Sequence, residues 1–185
     1  MKQESHRLLG HHLIEHLQEQ PKRRYTRAFL IGCVEPDRNP LSYLKGSIRA
    51  KWFYGHNYQN ADRWIERHIN YLRNKRRWHI WDYYCLGKLI HYTSDAFTYV
   101  HNNCFTDTIA AHRAYENDLQ EQFLKSMEQD DLSGAPFHLD LINFFRTAHE
   151  RYLQHVADVH RDSQYILDMT GWLFRQLMPE AAAAC

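Results

Sequence analysis

The sequence predicts an all-α fold, a single domain built as a multi-helix bundle. Three observations point there. Glycine and proline are scarce, seven and five in 185 residues, so long stretches run without a backbone breaker. Apolar residues recur at helical spacing, as in Trp64, Ile65, His68, Ile69 and Leu72. The length suits one domain over residues 1–185 with a sizeable core, and neither an internal repeat nor a low-complexity linker divides it.

The elements follow in order. Ser5 is placed to cap a first helix with Leu8, Leu9, His12, Leu13 and Leu17 on its apolar face, ending before Pro21. A second helix is expected from Tyr25 to Val34, stopped by Pro36. Residues 36–57 hold Pro36, Pro40, Gly46 and Gly55 and read as a long functional loop. A third helix is expected to start at Asp62, and a long central one to run from Trp78 to Asn102 with Gly87 in its middle. A mid-helix glycine costs about 1 kcal/mol relative to alanine, which close packing against a neighbouring helix or a metal ligand would offset. Three more helices are expected near 107–130, 137–160 and 162–178, the last two completing the bundle behind motifs confined to residues 1–125. They are separated by Ser133-Gly134-Ala135-Pro136 and a weak break near Arg161.

Composition narrows the function classes. A net charge of +1 gives no bulk electrostatic case for nucleic acid or an anionic membrane. The runs Lys22-Arg23-Arg24 and Lys75-Arg76-Arg77 read as solvated helix ends. Four cysteines (33, 85, 104, 185) form no CxxC and read as free thiols in a reducing compartment, with Cys104 as a small buried hydrophobe rather than a ligand. No apolar leader region and no stretch of 18 apolar residues is visible, so the expectation is a cytoplasmic protein without a transmembrane segment, secreted only if a leader has been lost.

The chemistry concentrates in HYTSDAFTYVH and HRAYE. His91 and Asp95, like His112 and Glu116, are four apart and share a helix face, so each pair can grip one ion. On a continuous helix His101 would lie about 9 Å beyond Asp95 and rotated by about 120°, so that helix would hand ligands to two neighbouring metals. Imidazole and carboxylate suit zinc. The pairs alone prove little: 14 His and 22 acidic residues give about two such spacings by chance, and three occur, the third being His11 with Glu15. The later histidines 138, 149, 155 and 160 read as surface or core residues. His149-Glu150 is followed by Leu153, so HExxH fails; ExxH, His-Asp and GxSxG are also absent.

The whole set resembles the zinc-dependent phospholipase C family, which shares its fold with fungal single-strand zinc nucleases. The resemblance rests on Pro36-Asp37 after an apolar helix, His56 in WFYGH, LGKLIHYTSDAFTYVH from Leu86 to His101, His112 to Glu116, and His6 in SHRLL. It covers about the first two thirds of the chain. It implies an all-α bundle of that type holding two or three zinc ions. Asp37, His56, His91 and Asp95 would hold the first, and His101, His112 and Glu116 the second. His6, the Met1 amine and a bridging Asp95 would hold the third. Two departures are plain: Val100 stands where the family has proline, and Met1 where the secreted enzymes expose a tryptophan by signal cleavage.

The resemblance implies a zinc phosphodiesterase, phospholipase C-like, in which metal-activated water attacks phosphorus and Asp37 both ligates and orients or deprotonates that water. Its substrate would be a phosphodiester, a phospholipid above all, since no basic groove is evident; Trp52, Phe53 and Tyr54 beside His56 read equally as the lining of a pocket for a lipid or a base and as ordinary core residues. A zinc nuclease or small-phosphodiester hydrolase is the second reading. A non-catalytic helical binding protein that keeps the fold is the third.

Overall fold

The computed structural model describes residues 1–39, 58–105, 108–130 and 140–178. Among them lie seven α-helices and no strand: α1 (Gln3–Glu15), α2 (Arg23–Arg38), α3 (Tyr58–Arg73), α4 (Ile80–Ala96), α5 (Ile109–Met127), α6 (Leu141–Leu153) and α7 (Val159–Leu177). A short 3-10 turn, Tyr99–His101, follows α4. The all-α reading holds. His56, Trp52, Phe53, Tyr54 and His138 lie outside the described residues, as do Gly46, Gly55 and Cys185.

The bundle is organised around α4. Every residue from Cys85 to Ala96 is buried, and a helix buried on all sides needs neighbours on all sides. It packs against α1, α2, α3 and α7, most extensively against α2. That closeness comes from two glycines. A Cβ on Gly87 would lie 2.1 Å from the Phe29 carbonyl oxygen, and one on Gly32 would lie 2.2 Å from that of Tyr84. Backbone therefore meets backbone, and the conformational cost of Gly87 is exchanged for the α2–α4 crossing.

Several boundaries differ from the sequence expectation, each for a physical reason. Ser5 does not cap α1; it is buried inside the helix, because the chain becomes helical from Gln3 behind Lys2. Helix α2 runs past Pro36, which sits in its last turn, where one lost hydrogen bond is tolerated and Asn39 N–H still reaches Glu35 O at 2.9 Å. Helix α3 starts at Tyr58, four residues before Asp62. Helix α4 starts after a reciprocal capping box between His79 and Asp82. The break between α6 and α7 falls before the Asp158 cap and not near Arg161. Cys104 is exposed, contrary to expectation, while Cys33 and Cys85 are buried free thiols.

The largest difference is at the end of α4, which stops at Ala96 instead of continuing to Asn102. Side chains terminate it. Asn102 Nδ2 donates to Ala96 O and Thr98 O, both at 3.0 Å, and His149 Nε2 donates to Ala96 O at 3.0 Å. Thr98 Oγ1 donates to Ser94 O at 2.9 Å. These bonds satisfy carbonyls that the unwound helix leaves behind. His149 is thus a core histidine, as expected, and burial pushes its pKa down to about 4.

Gly87→Ala should destabilise the protein at or above the top of the roughly 1–3 kcal/mol range of overpacked cores, because the obstructing atoms are backbone. Denaturant unfolding checks this; a variant as stable as the parent would mean that α2 and α4 do not cross at these glycines.

Candidate metal centre

The C-terminal turns of α4 collect imidazoles and carboxylates from α1, α2, α4 itself, the turn after it and α5. His91 Nε2 lies 3.2 Å from Asp95 Oδ2 and 3.7 Å from Asp37 Oδ1, the latter from the last turn of α2. His6, from α1, places its Nε2 3.3 Å from Asp95 Oδ1 and 3.8 Å from Asp37 Oδ2. The His6 and His91 rings stack with centroids 3.8 Å apart. His6, His91 and Asp95 form one buried group able to hold an ion.

Neighbouring hydrogen bonds assign the tautomers. His91 Nδ1 donates to Cys33 O at 2.9 Å. Ser94 Oγ gives its proton to His91 O at 2.7 Å, so it accepts from His6 Nδ1 at 3.0 Å. Both rings therefore turn Nε2 toward the same two carboxylates, held from behind by bonds of the kind that orient metal-ligating histidines. Donor atoms about 2.1 Å from a shared tetrahedral ion sit roughly 3.4 Å apart, close to the separations found here. The donor set fits zinc.

A second group comprises His101, His112 and Glu116. Glu116 Oε1 lies 3.3 Å from His101 Nε2 and 3.5 Å from His112 Nε2, the latter pair four apart on α5. Because α4 unwinds after Ala96, His101 Nε2 comes within 3.8 Å of Asp95 Oδ1, far nearer than a continuous helix would allow. Asp95 thus faces both groups. The Met1 amine sits between them, 2.9 Å from Asp95 Oδ1, 3.1 Å from Glu116 Oε1 and 2.6 Å from His101 Nε2. The third His-x3-acid pair, His11 with Glu15, is exposed on α1.

The structure therefore brings together all the sequence-predicted site residues except His56, which lies outside the described residues. His6 Nε2 and the Met1 amine both reach Asp95 Oδ1, at 3.3 and 2.9 Å, while His6 also stacks on His91 and the amine also lies 2.6 Å from His101 Nε2. The supporting atoms Cys33 O, Ser94 and Asn102 have no sequence signature, since a backbone carbonyl, a lone hydroxyl and a lone amide carry no spacing signal.

The electrostatics are those of a dense charge cluster. Burial opposes ionisation of Asp95, but His101, the Met1 amine, His91 and His6 together hold its pKa well below the carboxylate range. Burial likewise opposes charge on the Met1 amine, yet Asp95, Glu116 and Asp37 raise its pKa to about 10. His6 is pushed down to about 4 by burial and by His91, which leaves Nε2 a free lone pair at neutral pH. His91 is shifted upward, since Asp95 and Asp37 outweigh its burial; a metal ion would take the place of that proton. The C-terminal end of α4 adds its negative dipole to the same region.

The sequence profile of the zinc dependent phospholipase C family matches residues 5–162. The chain belongs to that family. Curated proteins and solved structures yield no match. Family membership together with the two histidine–carboxylate groups supports zinc as the metal and a hydrolase as the activity. Among the described residues no helix is long and apolar enough to cross a membrane.

Asp95→Ala should remove at least one zinc per chain, read by elemental analysis after purification without chelator. It should also lower the stability of the metal-free protein by about 3–5 kcal/mol, the cost of stripping a buried charge of its partner. Unchanged zinc content would remove Asp95 from the centre.

Proposed function

We propose that the protein is a zinc-dependent phosphodiesterase that cleaves phospholipids on the glycerol side of the headgroup phosphate. The observation that carries this reading is the pair of histidine–carboxylate groups meeting at one buried aspartate. In this reading Asp37, His56, His91 and Asp95 would hold one zinc, His101, His112 and Glu116 a second, and His6 with the Met1 amine and Asp95 a third.

Bound zinc would supply a hydroxide at neutral pH and neutralise the charge that builds on the phosphoryl oxygens. The chain's own residues divide the remaining work. Asp95, 1% exposed, is walled off and suited to bridging, whereas Asp37, 16% exposed, can meet solvent. Asp37 therefore orients the attacking water and takes its proton. Glu35, two residues earlier on α2, pairs its carboxylate with the buried Lys88 of α4 at 2.9 Å and so ties this end of α2 to α4. Asn39 Nδ2 donates to the same carboxylate at 2.7 Å. No side-chain nucleophile is required, and the leaving diacylglycerol oxygen is protonated from solvent.

The purified zinc-loaded protein should hydrolyse a phosphatidylcholine analogue in preference to single-stranded DNA, and chelator should abolish the activity. Cleavage of DNA with none of lipid would transfer the same chemistry to a nuclease. Loss of all hydrolysis with zinc retained would favour a binding protein. The amine makes a further prediction. Met1 is 4% exposed and its amine lies inside the cluster, so an N-terminal extension displaces it. Tagged protein should bind less zinc and turn over more slowly than protein with a free Met1; equal zinc and equal rates would exclude the amine from the centre.

A further inference from the structure

Both elements that carry the second group, the turn with His101 and helix α5 with His112 and Glu116, are tied to one buried carboxylate on a third element. Asp162, in the first turn of α7, is 2% exposed. Its Oδ2 accepts from Tyr99 N–H at 2.8 Å and from Tyr115 O–H at 2.8 Å, and its Oδ1 accepts from Tyr152 O–H at 2.7 Å. Tyr99 opens the turn that ends at His101, and Tyr115 immediately precedes Glu116. A single oxygen atom thus fixes the separation between the turn and α5, which is the separation between His101 and the His112–Glu116 pair.

We propose that Asp162 is the positioning residue of the second metal group, setting the spacing of His101 against His112 and Glu116 by holding Tyr99 and Tyr115 on one oxygen. The inference rests on the metal-centre reading above. Its chemistry is that of an acceptor without donors. Tyr99 offers a backbone N–H that cannot reverse its role, so the atom facing it has to accept. The third bond, from Tyr152, anchors the carboxylate to α6, which bears none of the proposed ligands. The tyrosine rings fill the surrounding space, Tyr99 and Tyr115 lying 5.8 Å apart between centroids. Burial raises the Asp162 pKa to about 6 even with these three donors. A group that costs energy to keep ionised is held where its hydrogen bonds reach the two ligand-bearing segments.

Zinc affinity, read by competition with a chromophoric chelator, separates positioning from general stability. Asp162→Ala should weaken the second group 10–100-fold, the range for loss of a residue supporting metal ligands. Made in His91→Ala protein, where the second group dominates binding, Asp162→Ala should weaken zinc as it does in the parent. Made in His112→Ala protein it should change little. Asp162→Asn should stay within a few-fold of the parent, because the amide oxygen can serve Tyr99 and Tyr115 while the Tyr152 hydroxyl turns to accept from the amide nitrogen. Tyr115→Phe, which folds with only one bond removed, should weaken the second group several-fold, and Tyr152→Phe should not. Equal loss from both groups, or an Asp162→Asn variant as weak as Asp162→Ala, would overturn positioning, the second outcome by making charge the cause. Parent protein that binds no zinc would instead overturn the metal-centre reading itself.

Discussion

The burial of Asp95 is the constraint on which the rest of this structure depends. A carboxylate removed from water is expensive unless cationic or hydrogen-bonding partners surround it. Here the partners come from three other parts of the chain: His6 on α1, His101 on the turn after α4, and the N-terminal amine itself. His91 is supplied by α4 one turn earlier. The N-terminus cannot leave, nor α1 rotate, without exposing an uncompensated charge. Asp37 from α2 and Glu116 from α5 add carboxylates around those groups, and the cluster has the donor set of a candidate metal centre.

Two features of the fold make that convergence possible. The Gly32–Gly87 crossing brings α2 and α4 into backbone contact, and this lets Cys33 O reach the ring of His91 and Asp37 reach the far side of both imidazoles. The termination of α4 at Ala96 does the complementary job for His101. Helix geometry alone would carry that residue about 9 Å past Asp95. Asn102, Thr98 and His149 stabilise the unwound carbonyls from inside the core, so the break is specified by packing and does not come from a glycine or proline.

That distinction explains what the sequence made legible. The all-α class and the pairs His91–Asp95 and His112–Glu116 followed from spacing, because helical periodicity places such residues on one face without tertiary information. Helix existence was readable for the same reason. The end of α4 was not, since its cap is Asn102 with a histidine 47 residues away. Pro36 signals a stop in the sequence, yet a proline in a last turn removes only one bond that the neighbouring residues can spare. The position of His6 beside Asp95 depends on how α1 packs on α4, which no spacing encodes. Ser94 illustrates the limit. Its hydroxyl fixes the tautomer of His6, yet nothing in the sequence marks it apart from other serines.

The division of the ligands also bears on how the centre forms. The candidate ligands 1, 6, 37, 91, 95, 101, 112 and 116 span most of the chain, so the free energy of binding a metal here would be shared with the docking of α1, α2, the turn and α5 onto α4. Helices α6 and α7 contribute none of these candidate ligands, but they supply His149 and Asp162, which brace the turn from behind. The bundle therefore has a front layer that carries charge and a back layer that carries the hydrogen bonds orienting it. A front layer alone would have the residue types for zinc and no means of keeping His101 beside Asp95. The back layer supplies the rigidity that a catalytic arrangement needs, at the level of tenths of an ångström.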